Sequence, residues 1–281
     1  MNDYMEVRID FSPCSEDITD VAAALLADAG YESFVPDDNG LTAYIRKDSY
    51  TPDVESILAQ LPFPTASVVR VEEVEGRDWN HEWEKNYFKP IVVDGEVVIH
   101  SSFHTDVPVC RHDIVIDPKM AFGTGHHATT CLMIRRILAA DLEGKDIIDM
   151  GTGTGILAIL CALRGARRVT GIEIDTPAWI NAGENIRLNS VENITLVNGD
   201  ASALADVDYS ADLFLANINR NVITADIHEY AERLKVGGLM ALSGFYMPDV
   251  KIIEAAAAPC GLEPVDVIEQ DGWVSLLLKK S

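Results

Sequence analysis

A chain of 281 residues with 22 lysines and arginines against 45 aspartates and glutamates carries a formal charge of -23. That excludes broad contact with phosphate backbones, which needs cations to displace counterions, and favours either a cationic partner or a merely solvated acidic surface. With 48% hydrophobic residues, no run near the roughly 18 apolar residues of a membrane span and a charged stretch from Met1 to Phe11, the chain is expected to be a globular cytoplasmic protein of two unequal domains.

Five scattered cysteines without a CxxC pair predict reduced thiols, with neither a disulfide framework nor a zinc knuckle. In chain order, "YMEVRIDF" reads as a strand. "SEDITDVAAALLADAG" reads as a helix with Ile18, Val21, Ala22, Leu25 and Leu26 on one face, Ser15 as its cap and Gly30 as its stop. "ESFVPDDNGLTAYIRK" is a hairpin around Asp-Asn-Gly, "TPDVESILAQL" a short helix with proline in its first turn, and "ASVVRVEEV" a strand. The order βαββαβ predicts a small α+β split-βαβ (ferredoxin-like) domain over residues 1–74.

Residues 75–90 read as an aromatic linker, with Trp79, Trp83 and Tyr87 at steps of four. Such a stripe serves either packing or the holding of a ligand. From Ile91 to Ser281, strands and helices alternate: "DIIDM", a helix to Leu163, "RVTGIEID", a helix from Pro177, "NITLVNGD", "ADLFLANI", a helix, "LMALSGF", a helix and a closing pair of strands. This predicts a doubly wound α/β domain over 91–281.

Within it, "DIIDMGTGTGILAILCALRGA" is a buried strand, a tight turn holding Gly151, Gly153 and Gly155, and a helix. Glycines there let the backbone turn sharply and admit a ligand closer than a Cβ would permit. Glu173 closes the next strand 22 residues beyond Gly151, near the roughly 20-residue offset at which an acidic side chain receives ribose hydroxyls. The loop is GxGxG, with Ile156 where a dinucleotide fingerprint would have its third glycine, so the spacing suits S-adenosylmethionine better than a dinucleotide.

Thr176 reads as the cap of the following helix with Pro177 at its first position. Asp200 reads either as an adenine contact or as a cap. Asn217, at the end of "ADLFLAN", offers an acceptor and a donor toward the crevice, or is a turn residue. Adjacent His126 and His127 lack the i, i+4 spacing of a helical zinc site and have no acidic or cysteine ligand nearby, so no metal is expected.

"AFGTGHHATT", "DMGTGTGILAI", "GIEID", "ANI" and "LSGF", in this order and spacing, resemble the PrmA-type ribosomal protein L11 methyltransferases, and the linker "DWNHEWEKNYFKPI" and the N-terminal domain fit the same family. The resemblance implies a Rossmann-like S-adenosylmethionine-dependent methyltransferase domain and a small domain that recognises the ribosomal protein. It also implies methylation of lysine and N-terminal amines up to the trimethyl state, and it places cofactor contacts on Thr130, Gly151, Glu173 and Asn217. The chain is expected to act as a monomer without direct nucleic-acid contact, with Asn217 as the catalytic residue that accepts a hydrogen bond from the substrate amine. "AFGTGHHATT" then forms the rim over the cofactor, with Gly123 and Gly125 in its backbone and Thr130 opening the helix "TCLMIRRIL"; His127 is a weaker proton acceptor.

Three departures stand out. The loop is GTGTG where the family has GCGSG, Glu173 replaces an aspartate, and Asn219 and Arg220 stand where apolar or small residues are more usual, which bears on the substrate-facing rim. The alternatives are a methyltransferase for another protein such as a release factor, whose family carries NPPY where this chain has "NINR", a non-catalytic module that binds S-adenosylmethionine, and a nicotinamide dehydrogenase.

Overall fold

The computed structural model describes residues 4–31, 33–37, 39–59, 61, 63–74, 90–117 and 128–281. The aromatic stripe of Trp79, Trp83 and Tyr87 therefore lies outside the described residues, as do Gly123, Gly125, His126 and His127. Spatial contacts divide the chain into two units, Met1–Trp83 and Glu84–Ser281.

The first unit contains strands β1 (Tyr4–Ser12), β2 (Ser33–Asp37), β3 (Gly40–Arg46) and β4 (Ala66–Val74), with helices α1 (Glu16–Asp28) and α2 (Val54–Leu58). The strands form one antiparallel sheet in the order β2-β3-β1-β4, which is the split-βαβ arrangement that the element order predicts. Alternation along β1 turns Val7, Ile9 and Phe11 into a core shared with Leu41, Ala43 and Ile45 of β3 and Ile18, Ala22 and Leu26 of α1. Val21 and Leu25 are only half-buried at the margin of that face. Ser15 occupies the N-cap of α1 but its side chain makes no cap bond; its backbone carbonyl accepts from Ile18 and Thr19 instead.

The second unit opens with an element absent from the sequence reading, a three-stranded sheet of β5 (Ile91–Val93), β6 (Val97–His100) and β7 (His112–Val115) in the order β5-β6-β7. "VVIH" is buried along its whole length, so it lacks the alternation that marks a half-exposed strand.

The main sheet has seven strands: β8 (Asp146–Met150), β9 (Arg168–Glu173), β10 (Ile194–Asn198), β11 (Ala211–Asn217), β12 (Leu234–Tyr246), β13 (Leu262–Gln270) and β14 (Trp273–Lys280). Their order is β10-β9-β8-β11-β12-β14-β13, parallel from β10 to β12, with β14 inserted antiparallel before β13. Helices α3 (Ala128–Ala139), α4 (Ile156–Leu163), α5 (Thr176–Leu188), α6 (Arg220–Glu232) and α7 (Val250–Ala257) accompany it.

The pleat sorts the strand residues between two cores. Ile147, Val169, Leu213 and Leu215 pack with the small sheet, α3 and α4 on one face. Ile148, Ile172, Phe214 and Ala216 pack with α6 and α7 on the other. Each such valine, leucine, isoleucine or phenylalanine side chain, fully removed from water, contributes roughly 1.5–3 kcal/mol. The chain leaves β8 in one direction for β9 and β10 and returns to β11 on its other side, so the strand order switches between β8 and β11. Ligands of doubly wound sheets enter at the carboxyl ends of the strands at such a point.

The opposite, amino-terminal edge of the sheet carries a charge cluster. Asp146 is buried at the start of β8 and accepts from Arg167 Nε (2.8 Å), Arg168 Nε (3.0 Å) and Lys235 Nζ (3.1 Å), while its backbone N–H donates to Asp212 (2.9 Å). Burial alone would raise this carboxyl; the three cations outweigh it and hold Asp146 far below the usual carboxylate range. A depressed carboxyl contributes stability above its unfolded pKa and loses it as pH falls toward the folded value. Asp146→Asn is accordingly expected to cost about 2 kcal/mol at neutral pH, since the cations are partly exposed and rehydrate. The deficit should shrink as pH drops below about 4, measured as the difference in denaturant midpoint between the two proteins.

Candidate active site

The carboxyl ends of β8, β9 and β11 meet at the glycine loop. Gly151, Gly153 and Gly155 have φ of 71°, 55° and 84°, a left-handed conformation that side chains disfavour. The backbone N–H groups of Gly151 and Thr152 both donate to the Ile172 carbonyl (2.8 and 3.0 Å), which ties the loop to β9. Gly155 then starts α4 as its N-cap.

Glu173, largely buried, holds the loop from the other side. Its Oε2 accepts from the Gly153 N–H (2.9 Å) and its Oε1 from the Asp175 N–H (3.0 Å). Each oxygen keeps capacity for a further donor.

Asn217 ends β11 opposite Ser243 of β12. It is half-buried, and among the described residues its side-chain amide makes no hydrogen bond. The residue after it is wedged between two glycines. A methyl group on Gly151 would stand 2.4 Å from Ile218 Cγ2, and one on Gly244 would stand 2.3 Å from the Ile218 carbonyl oxygen. Gly244 also has φ 99°, so glycine is required there on two grounds. The period of two places Glu173 and Asn217 on the same face of the sheet as Val169, Leu213 and Leu215.

Of the four residues expected to contact the cofactor, the structure thus brings Gly151, Glu173 and Asn217 together. Thr130 belongs to another element: it is buried in α3, which packs on β11, β12 and β14 over the same face. Ala128 and Thr129 before it are already helical, so Thr130 does not open the helix.

The expected cap of the helix after β9 is corrected. The cap of α5 is Asp175, whose Oδ2 accepts from the Ala178 N–H (3.0 Å); Thr176 is already helical and its hydroxyl donates to Asn198 Oδ1 (3.0 Å). Asp200 caps the 3-10 turn Ala201–Asp206 by accepting from the Ser202 N–H (2.9 Å) and hydroxyl (2.6 Å). Asn219 caps α6 through the Val222 N–H (3.1 Å), and Arg220 is held by Asp249 (2.9 Å). Among the described residues no group of three or more histidines, cysteines, aspartates or glutamates is placed to hold a metal.

The sequence reading passed over Asp149. It is fully buried beneath the loop and accepts from the Thr152 hydroxyl (2.6 Å) through Oδ2, while Oδ1 has no hydrogen-bond partner. Burial pushes this carboxyl up to about 7, with the Glu173 charge adding to the rise. Its signal is the second aspartate of "DIIDM", set among Ile147, Ile148 and Met150.

Comparison with known proteins bears on this geometry. Residues 14–281 match the model of the family described as ribosomal protein L11 methyltransferase (PrmA). A ribosomal protein L11 methyltransferase of Bacteroides fragilis is 45% identical over 275 residues, covering 97% of this chain and 98% of its own length. One of Chlorobaculum tepidum is 34% identical over 273 residues, covering 94% of this chain and 93% of its own. A crystal structure of a ribosomal protein L11 methylase from Lactobacillus delbrueckii subsp. bulgaricus aligns with a TM-score of 0.64 at 30% identity over 69% of this chain and all of its own.

Asp149 yields a pH prediction. Between about pH 4 and its folded value of about 7, the native state holds a proton that the unfolded chain has released, so this group makes stability fall as pH rises through that window. Asp149→Asn keeps an acceptor for Thr152 and removes the titration. Its stability relative to the parent protein, read from denaturant midpoints, is expected to rise steadily across the window and then level off.

Proposed function

The chain belongs to the ribosomal protein L11 methyltransferase family, and on that footing we propose that it transfers methyl groups from S-adenosylmethionine to lysine and N-terminal amines of ribosomal protein L11. The observation that carries the reading is the unpartnered Asn217 amide at the carboxyl edge, beside the glycine loop and the Glu173 carboxylate.

These residues fit a nucleoside-bearing cofactor. The Glu173 oxygens retain lone pairs for hydroxyl donors, and Gly151 opens the main chain at the switch point. With Thr130 and Asn217 they make up the proposed binding set. S-adenosylmethionine supplies an electrophilic methyl group on a sulfonium whose departure as a neutral sulfide requires no proton. The chain's own task is then to position the amine in line.

The amine sets the difficulty. A lysine with pKa near 10.4 is protonated at pH 7, and freeing its lone pair costs about 4.6 kcal/mol at ~1.36 kcal/mol per unit. A carboxylate touching the nitrogen would add to that cost, whereas a neutral amide oxygen can accept an N–H without holding the extra proton. Asn217 has that chemistry. Glu173, the carboxylate of the group, is turned onto two backbone N–H donors.

Residues 1–74 serve in this reading as the substrate-recognition domain, 75–90 as the linker and 91–281 as the methyltransferase domain. The charge of -23 suits encounter with a basic ribosomal protein and opposes direct contact with its RNA. The enzyme works as a monomer in the cytoplasm. Among the described residues no helix is long and apolar enough to cross a membrane.

Incubation of ribosomal protein L11 with this chain and S-adenosylmethionine is expected to raise the intact mass of the substrate by whole methyl increments. Asn217→Ala should lower turnover at saturating cofactor about a hundredfold. An Asn217→Ala protein with full turnover and unchanged cofactor affinity would remove Asn217 from the mechanism.

A further inference from the structure

Asn181 and Asn185 of α5 and its C-cap Asn189 recur at steps of four and so line one side of the helix. Asparagine inside a helix costs up to about 0.7 kcal/mol per residue relative to alanine, so the two within α5 need a compensating role. They meet the extended chain of residues 115–117. The Asn189 amide accepts from the Val115 N–H (2.9 Å) and donates to the Val115 carbonyl (2.7 Å). Two residues on, Asn185 Oδ1 accepts from the Asp117 N–H (3.0 Å) and Asn181 Nδ2 donates to the Asp117 carbonyl (2.8 Å). Ile116 between them turns the other way and donates to the His100 carbonyl of β6 (2.8 Å).

The spacing explains the match. Four helical residues rise about 6 Å, and two extended residues span about 6.6 Å. Helix α5 therefore presents its amides as if it were a neighbouring strand, and the open edge of the small sheet, which would otherwise expose unpaired backbone groups, is covered.

Asn185 does more than cover an edge. It is fully buried, and its Nδ2 donates to the carbonyl of Thr154 (2.9 Å), inside the glycine loop and between Gly153 and Gly155. One amide thus joins Asp117 to the loop whose next N–H toward the amino terminus, that of Gly153, is bound by Glu173. The neighbouring Asn189 has no such reach; its amide bonds only Val115 and the Asn185 carbonyl.

We propose that Asn185 is a positioning residue of the cofactor site, fixing the glycine loop by donating to the Thr154 carbonyl while it accepts from the Asp117 N–H. This rests on the methyltransferase reading. An untethered loop with three left-handed glycines has more conformations to lose on binding, so the effect belongs in cofactor affinity and not in the chemical step.

The test is calorimetric titration of the full chain with S-adenosylmethionine, together with turnover of ribosomal protein L11 at saturating cofactor. Three variants are compared with the parent: Asn185→Ala, Asn185→Asp and Asn189→Ala. Asn185→Ala is expected to raise Kd about tenfold, the scale of one buried hydrogen bond, with kcat within about twofold of the parent. Asn189→Ala should lower the melting temperature comparably with Kd unchanged.

Asn185→Asp carries the pH signature. A protonated carboxyl has one O–H donor and an acceptor, which reproduces the amide's bonds to Thr154 and Asp117, though not its longer one to Asn181 Oδ1 (3.3 Å), whereas the carboxylate cannot donate to Thr154. Its Kd relative to the parent should recover as pH falls from about 8 to about 5.5, because burial raises the pKa of the new group. Asn185→Ala should show no such recovery. Parent-like affinity of the Asn185→Asp protein at every pH, or equal weakening in the Asn189→Ala protein, overturns the assignment. A parent chain that binds no S-adenosylmethionine overturns the methyltransferase reading and this role with it.

Discussion

The site is organised around a close crossing of main chains. Where β11 ends, Ile218 passes between Gly151 of the glycine loop and Gly244 of β12, with no room for a methyl group on either side. That clearance fixes the residue before it, Asn217, at the height of the loop. Two glycines nearly a hundred residues apart are thereby explained by one contact: Gly151 by the Ile218 side chain, and Gly244 by the Ile218 backbone together with a positive φ. The order of strands makes the crossing possible, since β8 and β11 are neighbours only because the chain reverses direction across the sheet after β10.

Around that crossing the acidic side chains take different states. Glu173 is satisfied by two backbone donors, and Asp149 beneath it is sealed in by burial that favours its neutral form. Asp146, at the other end of β8, is also buried but faces three cations and stays charged. A single strand therefore carries one aspartate pushed toward its neutral form and one held ionised, separated by environment alone. The ionised one anchors the amino-terminal edge. The other lies under the loop, where the Glu173 charge adds to the rise of its pKa.

Much of this was legible in the sequence. The periods of strand and helix marked both domains, and the glycine loop with Glu173 marked the crevice, because these features depend on local spacing. What stayed hidden depends on partners distant in the chain. The small sheet of β5, β6 and β7 escaped because a strand buried on both faces has no alternation to read. Local pattern places the cap on Thr176 where Asp175 serves, since two adjacent cap-forming residues differ only in which one leaves the helix. The bonds of Asn181, Asn185 and Asn189 depend on residues 115–117, some seventy residues earlier in the chain, which no local spacing reveals. The residues between 117 and 128, where sequence reasoning placed the rim, lie outside the described structure.

The central claim is that the wedge of Ile218 between two glycines sets the place of Asn217. It is tested most directly by measuring S-adenosylmethionine affinity and turnover of ribosomal protein L11 in Gly244→Ala and Ile218→Ala proteins, with folding followed by circular dichroism. The three atoms nearest a methyl group on Gly244 all belong to the Ile218 backbone, so a loss of turnover of about tenfold or more in a folded Gly244→Ala protein, with a smaller loss in Ile218→Ala, is the predicted result. Parent-like affinity and turnover in both folded variants would contradict the account, for Asn217 would then keep its place without the wedge.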